Sequence, residues 1–239
     1  MPVAMSSAIE SLFDATAALY KNTGKLAFHF ARSKLRYDPV FLAILKSGLI
    51  RSNTRVLDLG CGQGLLLALL RVAKSQYQSG SWPNNWPEPA SCLDLRGVEL
   101  RDSEAAIARM ALGSAAKIES LDLSVCDIPA ADVVVLFDVL HYLDADAQVS
   151  LISRIARAME SGGLLLVRDA DARAGFSFYL TCFAERGAAI GRGHWRQHFH
   201  FRSREHWNAL LTQQGFHVEA MNMSDGTPFA NLLWIARRV

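Results

Sequence analysis

One short run of the 239-residue chain constrains its fold more than any other. Val56-Leu-Asp-Leu59 is a short apolar strand pattern, and it enters Gly60-Cys-Gly-Gln-Gly64 before the helical run Leu65–Val72. Glycines between a strand and a helix let the backbone turn through conformations that a Cβ forbids and pass close to a ligand. The helix that follows presents free N–H groups, which suit an anionic or polar ligand. The spacing also discriminates. A dinucleotide fingerprint G-x-G-x-x-G beginning at Gly60 needs glycine or alanine at position 65, which here is Leu65. The loop is therefore G-x-G-x-G preceded by Asp58.

The rest of the pattern alternates strands and helices. Arg96–Leu100, Ile118–Leu123, Asp132–Phe137 and Leu164–Val167 read as strands, and Ser103–Leu112 and Asp146–Met159 as helices. The near-continuous apolar run at 132–137 is of the kind buried on both faces of a parallel sheet. Phe216–Met223 and Phe229–Ala236 flank Ser224-Asp225-Gly226, a hairpin signal. Upstream, Ser7-Ala-Ile-Glu10 resembles a capping box, followed by Ile9, Leu12, Phe13, Ala17 and Tyr20 at helical spacing. Asp38-Pro39 starts a further helix through Val40, Phe41, Ile44 and Leu45. Residues 75–91, with Pro83, Pro87 and Pro89, read as a surface excursion.

These elements predict an α/β fold: a Rossmann-like, seven-stranded, mostly parallel sheet with a C-terminal antiparallel hairpin that adds one antiparallel strand at an edge. The expected organisation is an N-terminal helical cover over residues 1–50 and a main domain over 51–239, with a cap inserted after strand five at about 171–205. Residues 170–207 hold eight of the 22 aromatics, six arginines and four histidines.

Composition narrows the function. Hydrophobic residues are 51% and charged residues 20%, an ordinary globular balance. No run approaches the roughly 18 apolar residues of a membrane helix. The N-terminus does not read as a secretory signal. Net charge is +2, too mild to argue for nucleic acid. Cys61, Cys92, Cys126 and Cys182 form no CxxC pair and no metal spacing, which fits a reduced cytoplasm.

Val56–Gly64 resembles the first motif of the class I S-adenosylmethionine-dependent methyltransferases, and three further segments follow in that family's order. Gly97-Val-Glu99 and its neighbour Leu100 look like the second-strand acid, which in the family binds both ribose hydroxyls. Cys126-Asp127-Ile128-Pro129 looks like the segment whose acid meets the adenine amine. Phe137-Asp138-Val-Leu-His-Tyr142 looks like the segment beside the methionyl portion. The resemblance implies S-adenosylmethionine as cofactor, S-adenosylhomocysteine as product, and contacts from Asp58, Gly60, Cys61, Gly62 and Gly64. Asp58 is expected to orient the loop by bonding its backbone N–H groups, and Cys61 to pack within it. Arg36 is either a basic group for the cofactor carboxylate, as in some family members, or an exposed charge.

The acceptor is less constrained. His141 and His198 are candidate bases. His141 falls on the segment after strand four, where strand C-termini present ligands. His194, Trp195 and His200 are candidates for acceptor contact. His194-x-x-x-His198-x-His200 has some metal-like spacing, but no cysteine or carboxylate cluster completes it, so no metal is expected. The reading is a methyltransferase acting on a small or carrier-bound metabolite, with oxygen as the accepting atom and without membrane insertion. The basic cap suits an acidic carrier or an anionic acceptor. The alternatives are a non-catalytic S-adenosylmethionine-binding module and, disfavoured by Leu65, a nicotinamide oxidoreductase.

Overall fold

The computed structural model describes residues 7–191 and 197–239. Its strands are β1 (Arg55–Leu59), β2 (Asp94–Glu99), β3 (Lys117–Ser120), β4 (Val133–Phe137), β5 (Leu164–Ala170), β6 (Phe216–Asn222) and β7 (Asn231–Arg238). They form a mixed seven-stranded sheet in the order β3-β2-β1-β4-β5-β7-β6, the α/β fold that the sequence predicts. The chain divides into two compact units, Met1–Leu123 and Ser124–Val239.

Among the described residues of the first unit, three helices precede β1: α1 (Ser7–Ala18), α2 (Lys25–Tyr37) and α3 (Pro39–Ser47). Helix α1 buries Ile9, Leu12, Phe13, Thr16 and Ala17 on one face, the helical spacing seen in the sequence. Helix α2 has no counterpart in the sequence reading. It starts at Gly24 without a side-chain cap and buries only Ala27, Ala31 and Leu35, a thin stripe of mostly small residues. Helix α3 begins where Asp38 accepts a hydrogen bond from the Val40 amide at 3.1 Å. Pro39 needs no donor there. Strands β1, β2 and β3 pair in parallel. Leu65 through Leu70, the wholly apolar first turns of α4 (Leu65–Gln78), are all buried, as an element apolar on every side requires. Helix α5 (Asp102–Leu112) links β2 to β3. The stretch expected as surface excursion is partly self-packed: Trp82 is buried, and its indole N–H donates to the Pro87 carbonyl at 3.0 Å.

In the second unit, β4 and β5 pair in parallel. All seven residues of β5 are buried. The strand runs past the Val167 end that the sequence suggested and takes in Arg168 and Asp169. Strand β7 pairs antiparallel with both β5 and β6. The expected antiparallel edge strand is therefore corrected. The strand antiparallel to β5 is internal, and the edges of the sheet are β6 and β3. Helix α6 (Ala145–Ala158) is capped by Asp144, which accepts from the Ala147 amide at 2.8 Å. After β5 come α7 (Phe176–Gly191), a stretch at 197–203 that is neither helix nor strand, and α8 (Arg204–Gln213).

Candidate active site

The glycine loop in the first unit is built from backbone conformation. Gly60, Gly62 and Gly64 have φ of 78°, 54° and 73°, a region that costs an L-residue roughly 1–2 kcal/mol. The Gly60 and Cys61 amides both donate to the Val98 carbonyl, at 2.7 and 3.0 Å. The Gly62 amide donates to Glu99 Oε2 at 2.9 Å. The Tyr20 hydroxyl donates to the Gln63 carbonyl at 2.9 Å. The glycines differ in their surroundings. A Cβ on Gly64 would stand 2.8 Å from Leu112 Cδ1, whereas one on Gly62 meets nothing within 4 Å. Gly97 keeps the neighbouring strand bare at the Cys61 Sγ, which would lie 2.8 Å from an added Cβ.

Glu99 is 5% exposed. Besides Gly62, it accepts from the Arg101 amide and from Arg101 Nε, both at 3.0 Å. A carboxylate has about four acceptor sites, and these three donors occupy most of them. Asp58 is equally buried. Burial first, and then the charge of Glu99, push its carboxyl up to about 7. Burial, with Asp58 and Glu99 adding to it, likewise raises the Cys61 thiol. Buried acids beside an open glycine cradle fit a ligand that brings hydroxyl donors and a positive charge, as S-adenosylmethionine does. Arg36 meets Asp14, with Nη2 3.0 Å from Oδ1. Leu100 is largely exposed.

The second unit holds the segment after β4. Asp138 has φ 56°, unusual for a residue other than glycine. It is fastened on both sides: its amide donates to the Arg168 carbonyl at 3.0 Å, and Arg168 Nε donates to its Oδ1 at 2.9 Å. Arg168 Nη2 also donates to Asp138 Oδ2. The Arg168 guanidinium lies 5.4 Å from the centre of the Phe137 ring. The next residue on β5, Asp169, accepts from His141 Nδ1 at 2.8 Å, once that nitrogen is taken as the protonated one. His141 is 2% exposed, and its Nε2 is buried without a hydrogen-bond partner, 3.8 Å from Glu185 Oε2 on α7. Glu185 also accepts from the Tyr142 hydroxyl at 3.0 Å. Burial alone would lower the His141 pKa. The Asp169 charge and hydrogen bond, followed by Glu185, outweigh it and raise the imidazole well above its ordinary range.

Adjacent β5 residues thus hold the β4 segment at two points, Asp138 and His141. Arg168, Asp169 and Glu185 were missed in the sequence. Two charged residues continuing an apolar strand were the available signal for the first two. Of the other expected residues, Asp127 is exposed and Ile128 half-buried, and the Cys126 carbonyl beside them accepts from Arg154 Nη1. The His200 amide donates to the His141 carbonyl at 2.8 Å, which ties the 197–203 stretch to the β4 segment through backbone. His198 lines a cavity with α7. His194 and Trp195 lie outside the described residues. Among the described residues, no group of three or more His, Cys, Asp or Glu side chains is placed to hold a metal. No helix among them is long and apolar enough to cross a membrane.

A family profile described as a methyltransferase domain matches residues 27–221. The chain belongs to the methyltransferase-domain family, which sets the nicotinamide reading aside. No curated protein sequence matches the chain. Solved structures share its fold at low identity. An O-methyltransferase family protein from Burkholderia thailandensis is 19% identical with a TM-score of 0.61, over 95% of this chain and 63% of that one. The mitomycin 7-O-methyltransferase MmcR is 23% identical with a TM-score of 0.62, over 94% of this chain and 61% of that one. Magnesium protoporphyrin IX methyltransferase from Synechocystis PCC 6803, with bound S-adenosylhomocysteine, is 16% identical with a TM-score of 0.59, over 97% and 98% of the two chains. The chain thus spans about three-fifths of the length of the first two. All three are methyltransferases, and the fold is that of the S-adenosylmethionine-dependent enzymes.

Two substitutions separate the roles of the loop. Glu99→Ala removes a charged acceptor and releases the Gly62 amide. The expected loss of S-adenosylhomocysteine affinity is roughly 10- to 150-fold, from about 1.5–3 kcal/mol of charge-assisted bonding. Calorimetric titration checks this, and wild-type affinity in the variant would remove Glu99 from the ligand contacts. Gly64→Ala, which meets Leu112 and Ala108, should instead lower the melting temperature of the ligand-free protein more than Gly62→Ala does.

Proposed function

We propose that the protein transfers a methyl group from S-adenosylmethionine to an oxygen of a small-molecule acceptor, and that His141 takes the acceptor's proton. The observation that carries this reading is the buried His141–Asp169 contact at 2.8 Å, which leaves Nε2 without a hydrogen-bond partner. Asp169 fixes the tautomer: Nδ1 carries the proton, so a neutral His141 presents Nε2 as acceptor. A hydroxyl brought to Nε2 loses its proton there as its oxygen becomes the nucleophile.

When bound, S-adenosylmethionine supplies an electrophilic methyl carbon on a sulfonium leaving group. Glu99 is proposed to accept from the ribose hydroxyls, with Arg101 yielding part of its hold. Asp127 is proposed to accept from the adenine amine, and the Gly60–Gly64 backbone to pass along the ligand. Phe137 and Asp138 are proposed to lie beside the methionyl part, with Arg168 fixing their backbone. Arg36 is assigned to Asp14 rather than to the ligand. Cys61, Cys92 and Cys182 carry free thiols, and a reducing cytoplasm is the proposed location.

The test combines binding and turnover. S-adenosylhomocysteine at a hundredfold excess over Kd should stabilise the fold by about 2.7 kcal/mol, and NAD should not. A labelled-methyl assay against metabolite extract should then give a product whose methyl sits on oxygen. Ligand binding without any labelled product would favour the non-catalytic module. No thermal shift at millimolar ligand would sink the cofactor assignment.

A further inference from the structure

Resting on that reading, we propose that the acceptor is a small planar aromatic acid, held in a cavity between α7 and the 198–201 stretch with its anionic group on Arg186. The cavity has a volume of about 370 Å³ and is lined by Phe178, Cys182, Arg186, His198, Phe199 and Phe201. Ligand pockets run from about 300 to 1,000 Å³, so this one suits one or two fused rings.

Its walls are set for a flat ring. Phe199 and Phe201 lie near-parallel, with centroids 6.1 Å apart and planes 30° apart, and Phe178 stands edge-on to Phe201 at 5.3 Å. Aromatic faces and edges arranged this way favour another aromatic ring by offset stacking and T-shaped contact. The permanent charge in the lining is the Arg186 guanidinium. It lies 5.5 Å from the centre of the Phe199 ring, and its Nη1 donates to the Gln197 carbonyl at 2.8 Å. A guanidinium has five N–H donors in a fork that matches a carboxylate. The Gln197 carbonyl and the Phe199 ring together place the guanidinium at the cavity wall.

The cavity also adjoins the proposed base. Phe201 is one of its walls and stacks on the His141 ring, at 4.7 Å between centroids and 26° between planes. Phe201 therefore links the cavity to the His141 ring, with Arg186 on the lining as the place for the acid. Arg186 would thus determine specificity, recognising the acceptor's charge without touching the transferring methyl.

The experiment uses two probes of matched ring size, 3-hydroxy-2-naphthoate and 2-naphthol. They are titrated calorimetrically into the full chain, with and without saturating S-adenosylhomocysteine, for wild type, Arg186→Gln and Arg186→Lys. The naphthoate should bind wild type tighter than the naphthol by roughly 10- to 150-fold, the range of a charge-assisted contact. Arg186→Gln should erase that preference and leave naphthol and S-adenosylhomocysteine affinities within twofold. Arg186→Lys should keep part of it, since charge remains but the fork is lost. Equal binding of the two probes to wild type, a preference that survives Arg186→Gln, or no binding of either probe would overturn the proposal. The cofactor titration fails independently: loss of S-adenosylhomocysteine binding alone would count against the methyltransferase reading and leave the probe comparison standing.

Discussion

Arg168→Met should lower the melting temperature by roughly 6–12 °C. Arg168 is 2% exposed in the middle of the sheet, and its guanidinium grips both carboxylate oxygens of Asp138. Removing one partner of a buried ion pair leaves an uncompensated charge and typically costs about 3–5 kcal/mol. The Asp138 side chain is 29% exposed, so water softens the penalty toward about 3 kcal/mol. For a chain of this size each 1 kcal/mol moves the midpoint by about 2–4 °C. The partner substitution sharpens the test. Arg168→Met with Asp138→Asn removes both charges, and replacing a whole buried pair is often neutral. The double variant should therefore recover part of the loss, and a double-mutant cycle reads the coupling directly. Strictly additive effects would show that the two side chains do not act as a pair.

His141→Gln should reduce turnover by roughly 10²- to 10⁴-fold, the range of a general base, while S-adenosylhomocysteine affinity changes little. The pH dependence gives a second readout. Asp169 and Glu185 raise the His141 pKa, so the fraction of imidazole able to accept a proton grows only on the alkaline side of an ordinary histidine. Turnover should then climb with pH through a limb displaced to the alkaline side of an ordinary histidine. Glu185→Gln removes one of the two carboxylates that hold the charge and should shift that limb toward lower pH. The stability contribution runs the other way. A raised folded-state pKa stabilises fully below the unfolded value of about 6.5 and loses that contribution as pH rises through the folded value. A limb unmoved by Glu185→Gln would place the titrating group elsewhere.

Much of the cofactor side was legible because it is local. The glycine spacing, the apolar strand before it and Glu99 at a strand end sit in short windows, and the structure gives each glycine the positive φ that its residue type allows. The acceptor side was not legible, because its partners are distant in sequence. Arg168 and Asp169 look like a strand end unless Asp138 and His141, about 30 residues earlier, are known to meet them. Helix α2 escaped notice because its buried face is made of Ala27, Ala31 and Leu35, too little apolar contrast for periodicity to register. Residues 75–91 read as a surface excursion because nothing in their spacing shows that the turn folds over Trp82.

The pinned glycine loop bears on the thermodynamics of encounter. Fixing a backbone residue costs roughly 1–2 kcal/mol in configurational entropy. Here the fixing is done at the folding step, by Val98, Glu99 and Tyr20. A ligand reaching residues 60–64 meets a surface whose freedom is already gone. Its association should carry little ordering penalty and little dependence on loop relaxation, closer to a key entering a set lock than to a glove shaping itself around a hand.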